Sequence, residues 1–228
     1  MEKLQPGLSY HIFNHANGFE DVFCNDGNYW FFLDKYRKHI SPVAETYAWC
    51  LMPNHFHLVI RIRKHEVIEE LIRNKSNSDF TSSNNFTKPD NFSKVSNFGK
   101  VKVKFDDDKT EKFLSKQFAN LFSAYTQAFN KVSQRKGSLF IKNFKRELIT
   151  CKAQFIRSVV YVHRNPVHHG FCQAYDDWPY SSYYGILNND NIGVENAKVL
   201  AVFGGRSNFI EAHIESLKTS PPNIFEIP

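Results

Sequence analysis

Residues 43–63 read VAETYAWCLMPNHFHLVIRIR and hold two apolar runs separated by Met52-Pro53-Asn54. Both runs are short and rich in β-branched and aromatic residues, and Pro-Asn favours a tight turn. We therefore predict strands at 43–51 and 55–63, joined as a hairpin. Because side chains alternate across a strand, the second strand has one face with His55, His57, Val59 and Arg61 and an apolar face with Phe56, Leu58, Ile60 and Ile62.

The remaining periodic segments suggest how this hairpin is covered. The patterns predict a strand at 8–14, a helix ending near residue 40, helices over 66–73 and 112–133, a strand at 140–149, a helix over 152–164, and a small helical tail after residue 208. This order of elements is typical of an α+β fold. We predict a ferredoxin-like antiparallel sheet with helices packed on one side, plus a small C-terminal extension of helix and loop.

The chain of 228 residues is long enough for one domain with appendages. We assign 1–185 to the main domain and 186–228 to the C-terminal extension. Within the domain, about 74–108 is an insertion: its first part is dominated by Ser, Asn, Lys and Phe, which favours an exposed loop over a core element. The three aspartates at 106–108 are more typical of a solvated charge run than of a metal site.

Composition restricts the functional class. The net charge is +6 and the aromatic content is 15%, which favours a polyanionic partner and offers rings for stacking on bases. The four cysteines are far apart without a CxxC pair, which argues against a zinc finger and a disulfide scaffold. No apolar run approaches the roughly 18 residues of a membrane span, and the first residues lack a signal pattern. We expect a soluble, cytoplasmic protein without a membrane partner.

His55-Phe56-His57 is the first candidate site. Two imidazoles on one face of a strand suit two ligands of one metal ion. The alternative, that they are ordinary polar side chains on a half-exposed strand, stays open from this pattern alone.

A second candidate combines Tyr161 and Asn165, which are four residues apart and share a helix face. A phenol, with a pKa of about 10, is a poor nucleophile at neutral pH, but becomes useful beside a metal that polarises a phosphate. Tyr125 competes for this role, although it lies on the apolar stripe of its helix, where a core or hinge position is the better interpretation. The residues alone favour neither tyrosine.

Four stretches together resemble one family. They are residues 51–60 (LMPNHFHLVI), 137–140 (GSLF) with Phe144-Lys145, 161–167 (YVHRNPV) and 178–183 (WPYSSY). The first resembles the HUH signature, histidine-hydrophobic-histidine, and the third resembles a tyrosine helix. In this order they are similar to the REP-associated branch of the single-tyrosine transposases. The 74–108 insertion is longer than that pattern leads us to expect.

The resemblance implies a site and a reaction. It makes His55, His57 and Asn165 the ligands of one divalent metal, Mg²⁺ or Mn²⁺, and Tyr161 the nucleophile. The enzyme implied is a transposase that cuts single-stranded DNA beside a hairpin, forms a 5′-phosphotyrosine link and later rejoins strands. Asn165 precedes Pro166, so we expect it at a helix end. Whether the protein acts as a monomer or a homodimer stays open.

Basic residues around the tyrosine helix are candidates for DNA contacts. We predict this role for Arg135, Lys136, Lys142, Lys145 and Arg146, although a solvated strand edge would have the same pattern. We expect His163, His168 and His169 to face solvent. Two other functions stay open: a catalytically silent protein that binds hairpin DNA, and a metal-dependent phosphodiesterase that uses water in place of Tyr161.

Overall fold

The structure is a computed structural model that describes residues 2–18, 20–82 and 107–218. Its elements, in chain order, are β1 (Ser9–His15), α1 (Asp26–His39), β2 (Ala44–Met52), β3 (His55–Ile62), α2 (His65–Ser82), α3 (Asp107–Val132), β4 (Lys145–Ile149), α4 (Lys152–His168), a 3₁₀ turn (Tyr175–Asp177), α5 (Tyr183–Asn188), α6 (Asn196–Phe203) and α7 (Arg206–Lys218). None of the helices in these ranges is long and apolar enough to cross a membrane.

The sheet has the order β2-β3-β1-β4, and every neighbouring pair is antiparallel. With α1 between β1 and β2, and α2 and α3 between β3 and β4, this is the ferredoxin-like arrangement. The predicted α+β fold is therefore confirmed. The 43–63 hairpin forms β2 and β3, and Met52 pairs with His55 across its tight turn.

Helices cover both faces of the sheet, so the prediction of one covered side is wrong. Phe56, Leu58 and Ile60 of β3 pack in a cluster with α1 and α3. Val59, on the opposite face, packs in a second cluster with α4, where Val159 is fully buried. A strand with an apolar face and a partly polar face can be covered on both sides when its polar side chains have hydrogen-bond partners, as His57 has in His11.

Several element boundaries differ from the sequence patterns. The α2 helix continues to Ser82, nine residues past its predicted end, so the first part of the expected 74–108 insertion is helical. Its remainder, up to residue 106, lies outside the described residues. Only Lys145–Ile149 of the predicted 140–149 strand pairs regularly, because Phe140 makes an isolated bridge to Ala16. The helical tail begins at residue 196 and not after 208.

The α4 helix continues through Pro166 to His168, four residues past the end that the sequence predicts at residue 164. In the last turn of a helix, proline removes a single N–H donor, and the chain still closes the turn. The His169 N–H donates to the Asn165 carbonyl at 2.9 Å, and Gly170 follows with a φ of 73°, a left-handed conformation favoured by glycine. Asn165 therefore lies inside the helix.

His163 is buried, so the expectation that it faces solvent is wrong, whereas His168 and His169 are exposed. The His213 Nδ1–H donates to the Phe209 carbonyl at 2.7 Å, which leaves its Nε2 to accept from His163 Nδ1 at 2.9 Å. The Nε2 of His163 then accepts from Ser182 Oγ at 2.8 Å, and that oxygen accepts the Trp49 N–H at 2.9 Å. This chain of hydrogen bonds requires both imidazoles to be neutral, and it ties α7 to α4.

Burial lowers the pKa of His213 to about 4, more than its bond to the Phe209 carbonyl raises it. The unfolded chain therefore takes up a proton near pH 6.5, whereas the folded protein does so only near pH 4. We predict that stability falls as the pH drops through this window, and that His213 accounts for about 3 kcal/mol of the loss. Urea unfolding, followed by fluorescence between pH 7.5 and 4, measures this loss.

Other buried histidines add to the loss, so the test is a comparison of slopes. His213→Gln keeps an acceptor for His163 but removes the titrating group, and its stability should depend on pH less steeply, by about one proton. Ile214→Ala, at an exposed position on α7, removes no titrating group, serves as the control and should keep the wild-type slope. Equal slopes for wild type and His213→Gln would contradict this assignment.

Candidate functional site

The pairing of β1 with β3 collects imidazoles on the α4 face of the sheet. Phe13 lies opposite His57 and His15 lies opposite His55. The His15 and His55 rings stack with centroids 5.4 Å apart, and His11 stacks on His57 at 5.1 Å. His11 Nε2 and His57 Nδ1 share a buried hydrogen bond of 3.0 Å. The predicted pair of His55 and His57 is thus in ring contact with a second pair of histidines, His15 and His11 of β1.

The α4 helix and its C-cap residue place a stripe of three side chains, four residues apart, along this face: Tyr161, Asn165 and His169. Tyr161 lies at one end, with its ring edge-on to His57 at a centroid distance of 5.4 Å and to His11 at 5.8 Å. His169 lies at the other end, 5.1 Å from His55. Asn165 is midway along the same stripe, because side chains at i, i+4 and i+8 share a helix face. The stripe therefore runs alongside the histidine pair of β3.

The environment keeps the central imidazoles neutral. Burial, with the nearby His169 and His15 rings, lowers the pKa of His55 to about 3. Burial and the adjacent His11 hold the pKa of His57 well below its usual range, and burial lowers the pKa of His11 to about 3. Neutral imidazoles carry the free lone pair that a metal ion requires.

Hydrogen bonds at Nδ1 orient the rings of His55 and His57. His55 Nδ1 donates to Asn54 Oδ1 at 2.7 Å, which fixes the proton on Nδ1 and leaves the lone pair on Nε2. A proton on His57 Nδ1 would donate to His11 Nε2 in the same way. Ligating histidines in proteins are usually held by such a partner on the second ring nitrogen.

Asn165 has the properties of a preorganised metal ligand. It is 1% exposed, and its Nδ2 donates to the Tyr161 carbonyl at 2.7 Å. Its Oδ1 is buried and has no hydrogen-bond partner among the residues that the structure describes. Leaving such an acceptor unpaired costs about 1–3 kcal/mol, so the amide suits a site in which a cation restores a partner.

Within the described ranges, no three side chains of His, Cys, Asp or Glu are arranged to hold a metal ion. The set that the sequence predicts includes only two residues of these types and is completed by the amide of Asn165. The chemistry of the donors, two neutral imidazoles and an amide oxygen, fits a divalent ion that keeps positions open for oxygen ligands.

Tyr125 lies in the hydrophobic cluster formed by α1, α3 and the apolar face of the sheet, as its place on the apolar stripe of α3 predicts. Its side chain is 1% exposed, and its hydroxyl donates to the Val22 carbonyl at 2.5 Å. Aromatic rings, including Phe23 and Phe32, surround it. Since α3 covers the sheet face opposite to α4, Tyr125 is separated from the histidine pair by the sheet.

The structure divides the five basic residues predicted to contact DNA. Lys136, Lys142 and Lys145 are exposed. The other two, Arg135 and Arg146, form ion pairs with acidic residues of the protein. Arg135 binds Glu20 through both Nε and Nη2, the latter at 2.9 Å. Arg146 binds Glu111 at 2.9 Å and Ser115 at 3.1 Å, and its side chain is only 10% exposed.

Sequence reasoning missed His11, His15 and Glu147. His11 lies opposite Val59 on one side and opposite Glu147 on the other, so β1 and β4 both contribute to the site face. Burial raises the pKa of the Glu147 carboxyl. The alternation of His11, Phe13 and His15 in β1 was visible in the sequence, but only the register with β3 identifies the face on which they lie.

A ferredoxin-like sheet, with a histidine pair facing a tyrosine on a helix, is the arrangement that the resemblance to single-tyrosine transposases led us to expect. A Haemophilus influenzae protein, provisionally described as a REP-associated tyrosine transposase, is 23% identical to this chain over 144 residues. The alignment covers 61% of this chain and 59% of that protein, less than two thirds of the relative's length. It confirms the resemblance to the REP-associated tyrosine transposases.

Among solved structures, one of a REP-associated tyrosine transposase bound to a REP hairpin aligns with a TM-score of 0.49 and 15% sequence identity. That alignment covers 82% of this chain and 84% of the other. No family model matches the chain.

The ion pair of Arg146 and Glu111, whose side chains are 10% and 15% exposed, should stabilise the fold. We predict that Arg146→Met lowers the free energy of unfolding by about 2–3 kcal/mol, because it leaves the Glu111 carboxylate without its partner. Lys142→Met, on the same segment, should change stability by less than about 0.5 kcal/mol. Urea unfolding measures both, and the double variant Arg146→Met/Glu111→Leu should recover much of the loss. Equal stability of the two single variants would refute the structural role.

Proposed function

We propose that this protein is a REP-associated tyrosine transposase that cuts and rejoins single-stranded DNA beside hairpins. The observation that carries the proposal is the edge-on packing of Tyr161 against His57, with Asn165 one turn further along α4. A binding protein would not need a tyrosine next to two neutral imidazoles and a buried, unpaired amide oxygen.

His55, His57 and Asn165 would hold one divalent ion, Mg²⁺ or Mn²⁺. When bound, this ion would polarise the scissile phosphate and stabilise the charge that develops on it. The buried Oδ1 of Asn165, which lacks a partner in the described part of the chain, supports this assignment. So do the hydrogen bonds that orient His55 through Asn54 and His57 through His11.

Tyr161 supplies the nucleophile. Its hydroxyl oxygen attacks phosphorus, a bond forms between them, and the bond from phosphorus to the 3′ oxygen breaks. The leaving strand ends in a 3′-hydroxyl, which gains a proton as the phenol loses one, and the other strand is joined to the tyrosine through its 5′ phosphate. Attack by a 3′-hydroxyl reverses these bonds and rejoins DNA. One phosphodiester replaces another at each step, so no ATP is needed.

Charge and the resemblance to REP-associated tyrosine transposases support a DNA partner. The exposed Lys136, Lys142 and Lys145 supply cations for a phosphate backbone, in a chain of net charge +6. The resemblance to REP-associated tyrosine transposases, which the alignment with the Haemophilus influenzae relative supports, implies a hairpin with flanking single strand as substrate, and we assign that class of substrate to this chain.

The direct test is capture of the covalent intermediate. End-labelled single-stranded DNA with hairpins from the gene's own flanks is incubated with the protein and Mg²⁺ or Mn²⁺, then run on a denaturing gel. We predict a metal-dependent protein–DNA adduct that is lost in Tyr161→Phe and in His57→Ala. Tyr125→Phe is the matched control, because it removes a hydroxyl from the opposite core, and it should keep the adduct.

Each other result has a definite meaning. An adduct that survives in Tyr161→Phe but not in Tyr125→Phe would show that the nucleophile is Tyr125 on α3 and not Tyr161 on α4. Cleavage without any adduct would indicate a phosphodiesterase that uses water. Tight binding of hairpins with neither adduct nor cleavage would indicate a catalytically silent hairpin-binding protein.

His11 should act as a positioning residue for His57. We predict that His11→Phe, which keeps a ring but removes Nε2, weakens Mn²⁺ binding by about 10- to 100-fold, because His57 loses the partner that orients it. Calorimetric titration of the protein without DNA measures this affinity apart from activity. His15→Phe, which keeps the stacking on His55, is the control and should change the affinity less. Unchanged affinity in His11→Phe would show that the bond is structural only.

A further inference from the structure

A cavity of about 420 Å³ lies between α1, β2 and the segment 176–193 that follows α4. Three aromatic rings that solvent reaches contribute to its lining: Trp30 of α1, which is 56% exposed, Tyr184 of α5, which is 59% exposed, and the partly buried Trp178. Such large rings are usually more buried than this, and a concave site of this volume with aromatic walls suits a small ligand. The candidate metal ligands do not line the cavity.

The faces of these rings are not covered by cations of the described part of the chain. Within that part, the cation–π contacts lie at Phe31, Phe113 and Phe144, and none lies at a ring of the cavity. The face of an aromatic ring is negative and attracts a cation, and the indole ring does so most strongly. The aromatic wall of the cavity is therefore available to a cation from outside the protein.

One end of the cavity lies beside Leu51 of β2. The Trp178 Nε1–H donates to the Leu51 carbonyl at 3.0 Å. Tyr180 accepts the Leu51 N–H through its carbonyl, and its ring lies edge-on to Trp30 with centroids 6.3 Å apart. Asp176, two residues before Trp178, also lines the cavity. This end therefore combines two indole rings with a carboxylate.

The charges of the lining favour a cation over an anion. The charged side chains in the lining are Arg37, Asp176 and Asp190, one positive and two negative, although the whole chain has a net charge of +6. Arg37 follows Trp30 by seven residues on α1, so the two side chains start about 10 Å apart along the helix axis. Asp176 forms no ion pair with any residue that the structure describes. A cation held beside Trp30 would give this carboxylate a partner.

We propose that the Trp30 end of this cavity binds a small organic cation that carries an alkylated ammonium group. Trp30 would present its ring face to the ammonium group, Trp178 would add a second ring contact, and Asp176 would balance the charge. An alkylated ammonium group suits aromatic walls because its carbon atoms contact the rings while its charge is attracted by them. The inference goes beyond the proposed function and does not depend on it, because neither the metal ligands nor Tyr161 takes part.

The first test compares two ligands of the same shape. Choline carries a trimethylammonium group, and its uncharged carbon analogue carries a tert-butyl group at the same place. Calorimetric titration of the full chain at constant ionic strength should show saturable binding of choline, with an affinity at least about tenfold higher than that of the analogue. Absence of saturable choline binding, or equal affinity for the two ligands, would overturn the proposal. This comparison uses the wild-type protein and needs no variant.

Variants then assign the site. Trp30→Ala and Asp176→Asn should each weaken choline binding about tenfold, and Trp30→Phe should keep part of the affinity. Asp177→Asn is the matched control, because it removes the same charge from the next residue, which does not line the cavity, and keeps an oxygen to accept the Ala174 N–H. It should bind choline like wild type. Equal losses in Asp176→Asn and Asp177→Asn, or wild-type affinity in Trp30→Ala, would overturn the assignment to this cavity.

Discussion

The antiparallel register between β1 and β3 is the constraint on which the site depends. It sets His15 beside His55 and brings His11 within hydrogen-bond distance of His57. Because side chains alternate, the same register sends Phe56 and its apolar neighbours to the opposite face, where α1 and α3 bury them. A slip by one residue would move imidazoles into that core. Burial of the apolar face therefore also fixes where the imidazoles lie.

Polar residues on the second face would be costly without partners; His57 bonds to His11 and His55 bonds to Asn54, and α4 covers these rings. Towards the sheet it presents Tyr161 and Asn165, and on another side His163 bonds to His213 of α7. The extension at 196–218 therefore contributes to the packing that holds the tyrosine helix. Because α4 is held by the sheet and by α7, Tyr161, the proposed nucleophile, lies on a firmly packed element, as precise catalysis would require.

The sequence patterns predicted those features of the fold that interactions between nearby residues determine. The 43–63 hairpin, the alternation on β3 and the core position of Tyr125 followed from periodicity, and the α+β fold followed from the order of elements. The roles of His55, His57, Asn165 and Tyr161 remain predictions. Contacts between segments distant in sequence were not predictable: the burial of His163 depends on α7, and the ion pair of Arg146 depends on Glu111 of α3, while the DNA-contact role of Arg146 stays a prediction. The continuation of α4 past Pro166 likewise depends on its packing.

The central claim is that His55, His57 and Asn165 hold one metal ion beside Tyr161. A crystal structure of the protein grown with Mn²⁺, with anomalous diffraction data, tests it most directly. The account predicts one anomalous peak at bonding distance from an imidazole nitrogen of His55, one of His57 and Oδ1 of Asn165. Absence of density there, or a peak held by His15 and His169 with Asn165 turned away, would contradict it.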